Sequence, residues 1–576
     1  MEYDIEFIDV SFTYEGANTP ALENINLKVQ PGEVVLLTGP SGAGKTTLCS
    51  CLNGLVPHFH NGVLKGQLLV KGRDTKKTRV GVLSSLVGLV FQDPESQLIS
   101  PTVADEIAFG PENLAVPRDE IIKRVEEGLE VARLEGFEDR EPHNLSGGEQ
   151  QACAIAAIFA MYPEIYVMDE PTSNLDPLGT QHILSIIVKV AKERGKTLLI
   201  TEHKLEEILP LVDRVVIMDR GRIVRDDTVE GALSKGDIEH VFVRPPLVHL
   251  AEKLQLDAQP LTAEQFYPVL TRKYKFNVLT MDDRPMAEKK DKKDKGEPVI
   301  EIKGLHHSYD GVNAALNGVD LTIYRGELVS ILGRNGSGKT TLVKHINGLL
   351  KPAEGSVIVL GQDTTQTTTA QLAKKVGFCF QNPNHQMITF VVKDELALGP
   401  KSLGLDKEEI ERRSLEALDF VGMAGQMGAD VMALGKGQKQ RLALASVLTM
   451  KPEILIIDEP TTGQDPQMTE DIFEIIRRLN EEGTTVLAIT HKFDYAAAYT
   501  ERAVILADGN IVYDGPMGLA LMDEELLKEN SLAQPQVTKL AAKLMAQNVP
   551  GDIVTVDQMH NVLSKLIAGG QDGHYV

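Results

Sequence analysis

No run of about 18 apolar residues occurs in the 576-residue chain, so the sequence offers no helix able to cross a bilayer. Cysteine is sparse. Cys49, Cys51, Cys153 and Cys379 form no CxxC pair and no disulfide framework. That argues against an iron–sulfur cluster or a structural zinc site and suits a reducing cytosol. Positive charge is also short, because 59 Lys and Arg face 82 Asp and Glu, for a net charge of −23. An acid excess of this size repels phosphate backbones and argues against nucleic-acid partners. The opening residues MEYDIEFIDV lack the basic start of a secretory signal. What is present is ordinary for a globular chain, 42% hydrophobic and 24% charged. The length corresponds to about three to five pieces of roughly 100–200 residues each.

The chain repeats itself. GPSGAGKTT at 39–47 returns as GRNGSGKTT at 333–341, and VFQDPESQ at 90–97 returns as CFQNPNHQ at 379–386. EIYVMDEPTSNLD at 164–176 returns as EILIIDEPTTGQD at 453–465, and ITEHK at 200–204 as ITHK at 489–492. The offsets all lie between 288 and 294 residues, which marks a duplicated domain. The duplication continues in PLVHLAEKLQL at 246–256 and PQVTKLAAKLMA at 535–546. There Val248, Leu250, Leu254 and Leu256 have the spacing of an amphipathic helix. Two readings of it stand: a helix packed on its own half, or a contact between halves. The charged run AEKKDKKDKGEP at 287–298 reads as a solvated linker. The expected boundaries are a first domain at 1–235, its extension at 236–282, a linker at 283–298, a second domain at 299–525 and its extension at 526–576.

Each GxxxxGK[ST] run follows a short apolar stretch and precedes a helical pattern, the strand–loop–helix setting that such a loop needs. The expected phosphate cradle is Gly39, Ser41, Gly42, Gly44 and Thr47 in the first half, and Gly333, Asn335, Gly336, Gly338 and Thr341 in the second. Glycines let successive N–H groups turn inward around phosphate oxygens, and the helix N-terminus adds partial positive charge. Lys45 and Lys339 reach the β- and γ-phosphates, while Thr46 and Thr340 suit Mg²⁺.

The apolar runs IYVMDE and ILIIDE each end in paired acids, about 120 residues after the lysine of their half. Asp169 and Asp458 suit Mg²⁺ coordination, and Glu170 and Glu459 suit polarisation of an attacking water. His203 and His491 follow the β-type runs TLLITEH and TVLAITH. A lone histidine is ordinarily structural, but this position favours contact with a γ-phosphate.

LSGGEQQ at 145–151, with the two loops, Gln92, Gln381 and the histidines, resembles the nucleotide-binding domains of ABC ATPases over nearly the whole chain. The resemblance implies an α/β fold: two tandem domains with a P-loop NTPase core sheet and a helical subdomain, each with a short C-terminal α-helical extension. It implies ATP-hydrolysing halves paired head to tail; fusion raises their effective concentration and favours pairing within one chain, with exchange of halves between two chains as the alternative. Two ATP molecules with Mg²⁺ would lie between the phosphate loop of one half and the signature of the other. On this reading Ser146, Gly147, Gly148 and Gly437 contact nucleotide, and Gln92 and Gln381 contact the metal. Tyr14 and Tyr309 match the aromatic that stacks on adenine, with a plain core tyrosine as the alternative. FQDPESQ and FQNPNHQ, together with DEIAFGPENL at 105–114 and DELALGPKSLG at 394–404, look like energy-coupling factor (ECF-type) transporter ATPases. That resemblance implies a peripheral protein at the cytoplasmic face of the membrane that powers import of a vitamin or a transition-metal ion. Its partners would be a transmembrane scaffold (T component) and a substrate-binding membrane protein (S component), with coupling helices docking near Gln92 and Gln381. The extension would help hold the ATPase pair together.

The second signature departs from the pattern. LGKGQKQR at 434–441 has Gly435 in place of serine and Lys436 in place of the first glycine. The first half has Ala152 where arginine is usual, and the loops SNLD at 173–176 and TGQD at 462–465 differ from each other. Head-to-tail pairing would give Lys45, Asp169 and Glu170 the altered signature, and Lys339, Asp458 and Glu459 the intact one. The second site is then the expected main hydrolytic site, against the alternative of two equal sites. A soluble twin-ABC protein acting on ribosomes or nucleic acid is the rival function. The net charge and the lack of a long basic arm between the halves argue against it.

Overall fold

The computed structural model describes residues 2–568 other than 174, 176, 235, 237–240, 275–295, 310, 312, 462, 463, 491 and 548. The chain divides between Val248 and His249 into two compact units. Among the described residues, no helix is long and apolar enough to cross a membrane.

The first unit contains β1 (Ile5–Tyr14), β2 (Leu22–Val29), β3 (Val34–Thr38), β4 (Gly62–Val70), β5 (Arg73–Asp74), β6 (Val87–Val90), β7 (Ile165–Asp169), β8 (Thr197–Thr201), β9 (Arg214–Asp219) and β10 (Arg222–Asp227). They form two sheets, ordered β2-β1-β4-β5 and β10-β9-β3-β8-β7-β6. The smaller sheet is antiparallel. In β1, Ile5, Phe7, Val10 and Phe12 are buried between more exposed neighbours, the pattern of a strand with one face on the core. The larger sheet is parallel from β6 to β9, with β10 antiparallel at the edge. Its strands VVLLT, VGLV, IYVMD and TLLIT are buried throughout, because both sheet faces are covered. Helices Val103–Asn113, Arg118–Ala132 and Gly147–Ala160 form the helical subdomain.

The second unit repeats this plan with β11 (Pro298–Ser308), β12 (Ala314–Tyr324), β13 (Leu328–Leu332), β14 (Glu354–Val359), β15 (Gln362–Asp363), β16 (Val376–Cys379), β17 (Ile454–Asp458), β18 (Thr485–Ile489), β19 (Arg502–Ala507) and β20 (Asn510–Pro516). The orders β12-β11-β14-β15 and β16-β17-β18-β13-β19-β20 match those of the first unit. The expected α/β class, two tandem domains with mixed sheets, is what the chain adopts.

Residues 249–273 belong to the second unit. There Ala263–Lys273 packs on Gln536–Lys543, with Ala263, Phe266 and Leu270 buried on the one helix and Val537, Leu540 and Ala541 on the other. The Ala263 N–H donates to Gln536 Oε1 at 3.1 Å, Glu264 pairs with Lys543 at 3.4 Å, and Lys253 pairs with Asp557. Val248, Leu250, Leu254 and Leu256 are all buried. The helix itself, Pro246–Lys253, is shorter than their spacing suggests, because Gln255 takes a left-handed φ of 53° that ends it. Most of the linker, 283–295, lies outside the described residues.

Candidate active site

The sheet order explains why distant motifs meet. β3, β8, β7 and β6 are neighbours and run parallel, so their C-terminal ends share one edge. Such an edge is where α/β sheets bind ligands. The phosphate loop leaves β3, the acids end β7, His203 follows β8 and Gln92 follows β6.

The loop enters helix Lys45–Leu52 through Gly44, at φ 102°, where an added Cβ would sit 2.5 Å from the Ala21 carbonyl oxygen. Gly338 repeats this at φ 102°, 2.5 Å from the Ala315 oxygen. Only glycine fits either place. Lys45 is buried, and its Nζ donates to the carbonyls of Gly39 at 2.8 Å and Pro40 at 3.0 Å. Lys339 does the same to Gly333 and Arg334, both at 2.8 Å. The cation is thus held inside the loop that a polyphosphate would enter. Gly42 and Gly336 have φ of 79°, and Ser41 and Asn335 stand beside them on the loop rim.

Asp169 and Asp458 are buried below these loops. Burial raises the Asp169 carboxyl above the usual range, the Thr201 and Thr46 hydroxyls oppose the rise, and the Glu170 charge adds to it. Burial pushes Asp458 up to about 6, opposed by the Thr340 hydroxyl and reinforced by Glu459. Thr340 Oγ1 donates to Asp458 Oδ2 at 2.9 Å.

Glu170 and Glu459 share an uncommon backbone, with φ of 48° and 47°. Left-handed conformations at non-glycine residues are strained and cluster at functional positions. They are held by backbone bonds from Glu170 N–H to the Thr201 carbonyl at 3.2 Å and from Glu459 N–H to the Ile489 carbonyl at 3.0 Å. In the first half, Gln92 Nε2 donates to Glu170 Oε2 at 2.6 Å, and His203 Nε2 lies 3.0 Å from Glu170 Oε1. Glu170 is thus flanked by two side chains that can orient it toward a water. Gln381 is exposed. His491 and the loop residues Asn174, Asp176, Thr462 and Gly463 lie outside the described residues.

The tyrosines are tied to the same loops: Tyr14 Oη lies 3.0 Å from Thr47 Oγ1, and Tyr309 Oη 3.2 Å from Thr341 Oγ1. Tyr309 is 64% exposed, leaving its ring open to a planar ligand. The signatures differ as their residues suggest. Ser146 caps helix Gly147–Ala160 in a capping box, giving its hydroxyl to Glu149 Oε2 at 2.7 Å and accepting the Glu149 N–H at 3.4 Å. Gly435 starts helix Lys436–Leu448 and has only its backbone N–H to offer, bonded to Gln438 Oε1 at 3.2 Å. Ser146 and Gly147 are exposed and Gly148 half-buried, whereas Gly437 is buried, its missing Cβ position 2.5 Å from Met468 Sδ. A side chain at 437 would therefore have to displace the Met468 thioether.

Sequence reasoning missed the residues that brace this framework. Glu106 is buried and accepts the N–H groups of Ile99 at 2.9 Å and Ser100 at 2.7 Å. Glu395 accepts those of Ile388 at 3.0 Å and Thr389 at 2.8 Å. Gln97 ties its loop to Leu89 and Phe91, and Gln386 ties its own to Phe380 and Ala443. The buried Glu202 accepts the Thr172 hydroxyl at 2.5 Å and the His203 N–H at 2.8 Å. The signal for each was its recurrence, or its failure to recur, in the two halves.

A family model described as "ABC transporter" matches residues 22–173 and again 316–462. The chain belongs to the ABC transporter family. It is 41% identical to a protein of Caldanaerobacter subterraneus subsp. tengcongensis named an ABC transporter ATP-binding protein, over 93% of this chain and 95% of that one. A similarly named protein of Methanosarcina mazei is 36% identical over 97% of each. Among solved structures, cbiO1 from Clostridium perfringens, part of the ABC transporter complex cbiONQ, is 29% identical, with a TM-score of 0.38, over 43% of this chain and 99% of that one. The two tandem ABC domains are ATP-hydrolysing, and the chain is the ATP-binding protein of a transporter.

Proposed function

We propose that this ABC protein is the energy-coupling subunit of an ECF-type importer of a vitamin or a transition-metal ion. It sits peripherally at the cytoplasmic face of the membrane, against a T-component scaffold and a substrate-binding S component. The observation that carries this reading is the pair of loops after β6 and β16. Each is tied from below by a buried glutamate, Glu106 or Glu395, and each turns apolar side chains outward. Ile99 is 65% exposed, Ile388 77% and Phe390 71%. A braced backbone with apolar tips suits a coupling helix pressing into it near Gln92 and Gln381.

The two halves bind two ATP molecules head to tail within one chain, each between one half's phosphate loop and the other half's signature. Lys45 and Lys339 offset phosphate charge that the net charge of −23 would otherwise repel. Glu170 and Glu459 orient the attacking water, with His203 and His491 toward the γ-phosphate. Tyr14 and Tyr309 stack on the base.

Mg²⁺ fits the donors present. Asp458 Oδ1 is buried without a hydrogen-bond partner among the described residues, and the Thr340 hydroxyl lies beside Oδ2. Thr46 with Asp169, and Thr340 with Asp458, would hold the ion, with Gln92 and Gln381 approaching it. When bound, the ion neutralises charge on the transferring phosphoryl group. The site of Lys339, Asp458 and Glu459 with signature 145–149 is the main hydrolytic site, because the other site faces Gly435 in place of a serine hydroxyl.

The test is affinity purification of the tagged chain from its native membranes. Recovery of polytopic membrane proteins that stimulate its ATPase activity is expected. Recovery with ribosomes and without a membrane protein would overturn the reading.

A further inference from the structure

The register of the large sheets places one position of β8 and β18 directly opposite the metal-side acid. Asp169 pairs with Thr201, and Asp458 pairs with Ile489. All four residues are buried. In the first half, Thr201 Oγ1 donates its single proton to Asp169 Oδ1 at 2.7 Å and accepts the Glu170 N–H at 2.8 Å. One hydroxyl therefore connects the two acids of that site. In the second half, the Ile489 side chain has no polar atom to offer, and only its backbone carbonyl is engaged, by the Glu459 N–H. Asp458 Oδ1, the matching oxygen, is buried without a hydrogen-bond partner among the described residues. Two features are shared: each acid is approached by the threonine that follows its loop lysine, and Glu170 and Glu459 have the same left-handed backbone; Lys344 adds a positive charge near Asp458 where the first half has Ser50.

A buried carboxylate oxygen without a donor is costly, and whatever brings one gains more there than at an oxygen already supplied. The coordinated waters of Mg²⁺ are strong donors, and this cation keeps several of them when bound. We propose that Thr201 is a positioning residue that occupies, at the first site, the carboxylate oxygen that the second site leaves to the cation and its hydration shell. The two ATP sites therefore differ in their demand for Mg²⁺. The first is partly satisfied by the protein itself. The second is completed only by the metal and holds it more tightly. This rests on the reading that both acids serve Mg²⁺-bound ATP.

The competing hydroxyl corresponds to about a three- to tenfold difference in the free Mg²⁺ needed for half-maximal nucleotide retention. The experiment uses the full chain carrying Glu170→Gln and Glu459→Gln, so that nucleotide is not turned over. Lys339→Ala confines binding to the first phosphate loop, and Lys45→Ala confines it to the second. Binding of a fluorescent ATP analogue is followed at buffered free Mg²⁺. The second loop is expected to reach half-saturation at about three- to tenfold lower Mg²⁺ than the first. Thr201→Val should bring the first site's midpoint down toward the second's, and Ile489→Thr should raise the second's. Thr201→Ser, which keeps the hydroxyl, should leave the first site's midpoint where it was. Equal midpoints in the two loops, or midpoints unmoved by Thr201→Val and Ile489→Thr in folded protein, overturn the proposal. Nucleotide binding indifferent to Mg²⁺ at both loops overturns the Mg²⁺ reading itself, and the proposal with it.

Discussion

Exchanging one of the two proposed catalytic glutamates at a time for its isosteric amide separates the two proposed ATP sites. Glu170 and Glu459 are both buried, each directly follows the last residue of a parallel strand, and they have φ of 48° and 47°, so the substitution perturbs the backbone equally at each. The difference lies in the signature each is proposed to face. Glu459 would work against Ser146, whose hydroxyl sits at a helix start, and Glu170 against Gly435, which has none. Loss of one positioned oxyanion donor costs about 2.7–4 kcal/mol, or roughly a hundred- to thousandfold in rate. The first site then contributes about 1% of turnover or less. Glu459→Gln should reduce steady-state ATPase activity, measured with the membrane partners present, to about that residue of activity. Glu170→Gln should leave it within about twofold, since a silent site adds little to a sum. Equal losses, or the larger loss from Glu170→Gln, would refute the reasoning and make Lys436 an adequate replacement for the serine.

Four further outcomes follow from the geometry. Ser146→Ala removes the cap of helix Gly147–Ala160 and should lower the stability of the first unit by about 1 kcal/mol, seen as a lower Tm, besides reducing ATPase activity; Gly435→Ser should raise ATPase activity no more than about twofold. Glu395→Ala strips a partner from the Ile388 and Thr389 N–H groups and the Thr389 hydroxyl, about 1–3 kcal/mol for each donor left dry. Uptake should fall much further than nucleotide binding, and a parallel fall in both would contradict the bracing role. His345 is buried against His307, with ring centroids 4.8 Å apart, and burial holds its pKa below the ordinary 6.5. The unfolded chain then binds the more protons, so stability contributed above that value is lost as pH falls through it. His345→Cys, which installs the residue of the matching position Cys51, should flatten the decline in Tm between about pH 7 and 5.5.

The edge on which the motifs meet was legible in the sequence because it is built from ends. A buried strand that stops in a glycine loop, in two acids or in a histidine announces its C-terminus, and parallel strands align those termini. The phosphate loops, Asp169, Glu170, Asp458, Glu459 and His203 all stand where that logic puts them. What stayed hidden depends on registration between strands. Thr201 and Ile489 are one residue each in short apolar runs, and only the pairing of β7 with β8 and of β17 with β18 sets them opposite Asp169 and Asp458. Glu106 and Glu395 look like solvated acids on amphipathic helices, yet each is buried under a loop several residues upstream. The bond from Ser146 to Glu149 shows that the signature serine also caps its own helix, so it has a structural duty beside any contact with phosphate. For the extension, apolar spacing marked the buried residues Val248, Leu250, Leu254 and Leu256 but not the following helix Ala263–Lys273, which packs on Gln536–Lys543.

ATP-driven uptake in proteoliposomes tests the central claim most directly. The chain and its co-purifying membrane proteins are reconstituted with ATP on the side of the ATPase, and accumulation of labelled vitamin, cobalt or nickel is followed. The account expects accumulation of one of these cargoes that needs ATP, survives Glu170→Gln and is lost with Glu459→Gln. ATP hydrolysis by the same complex with no cargo accumulated, or accumulation that persists with Glu459→Gln, would contradict it.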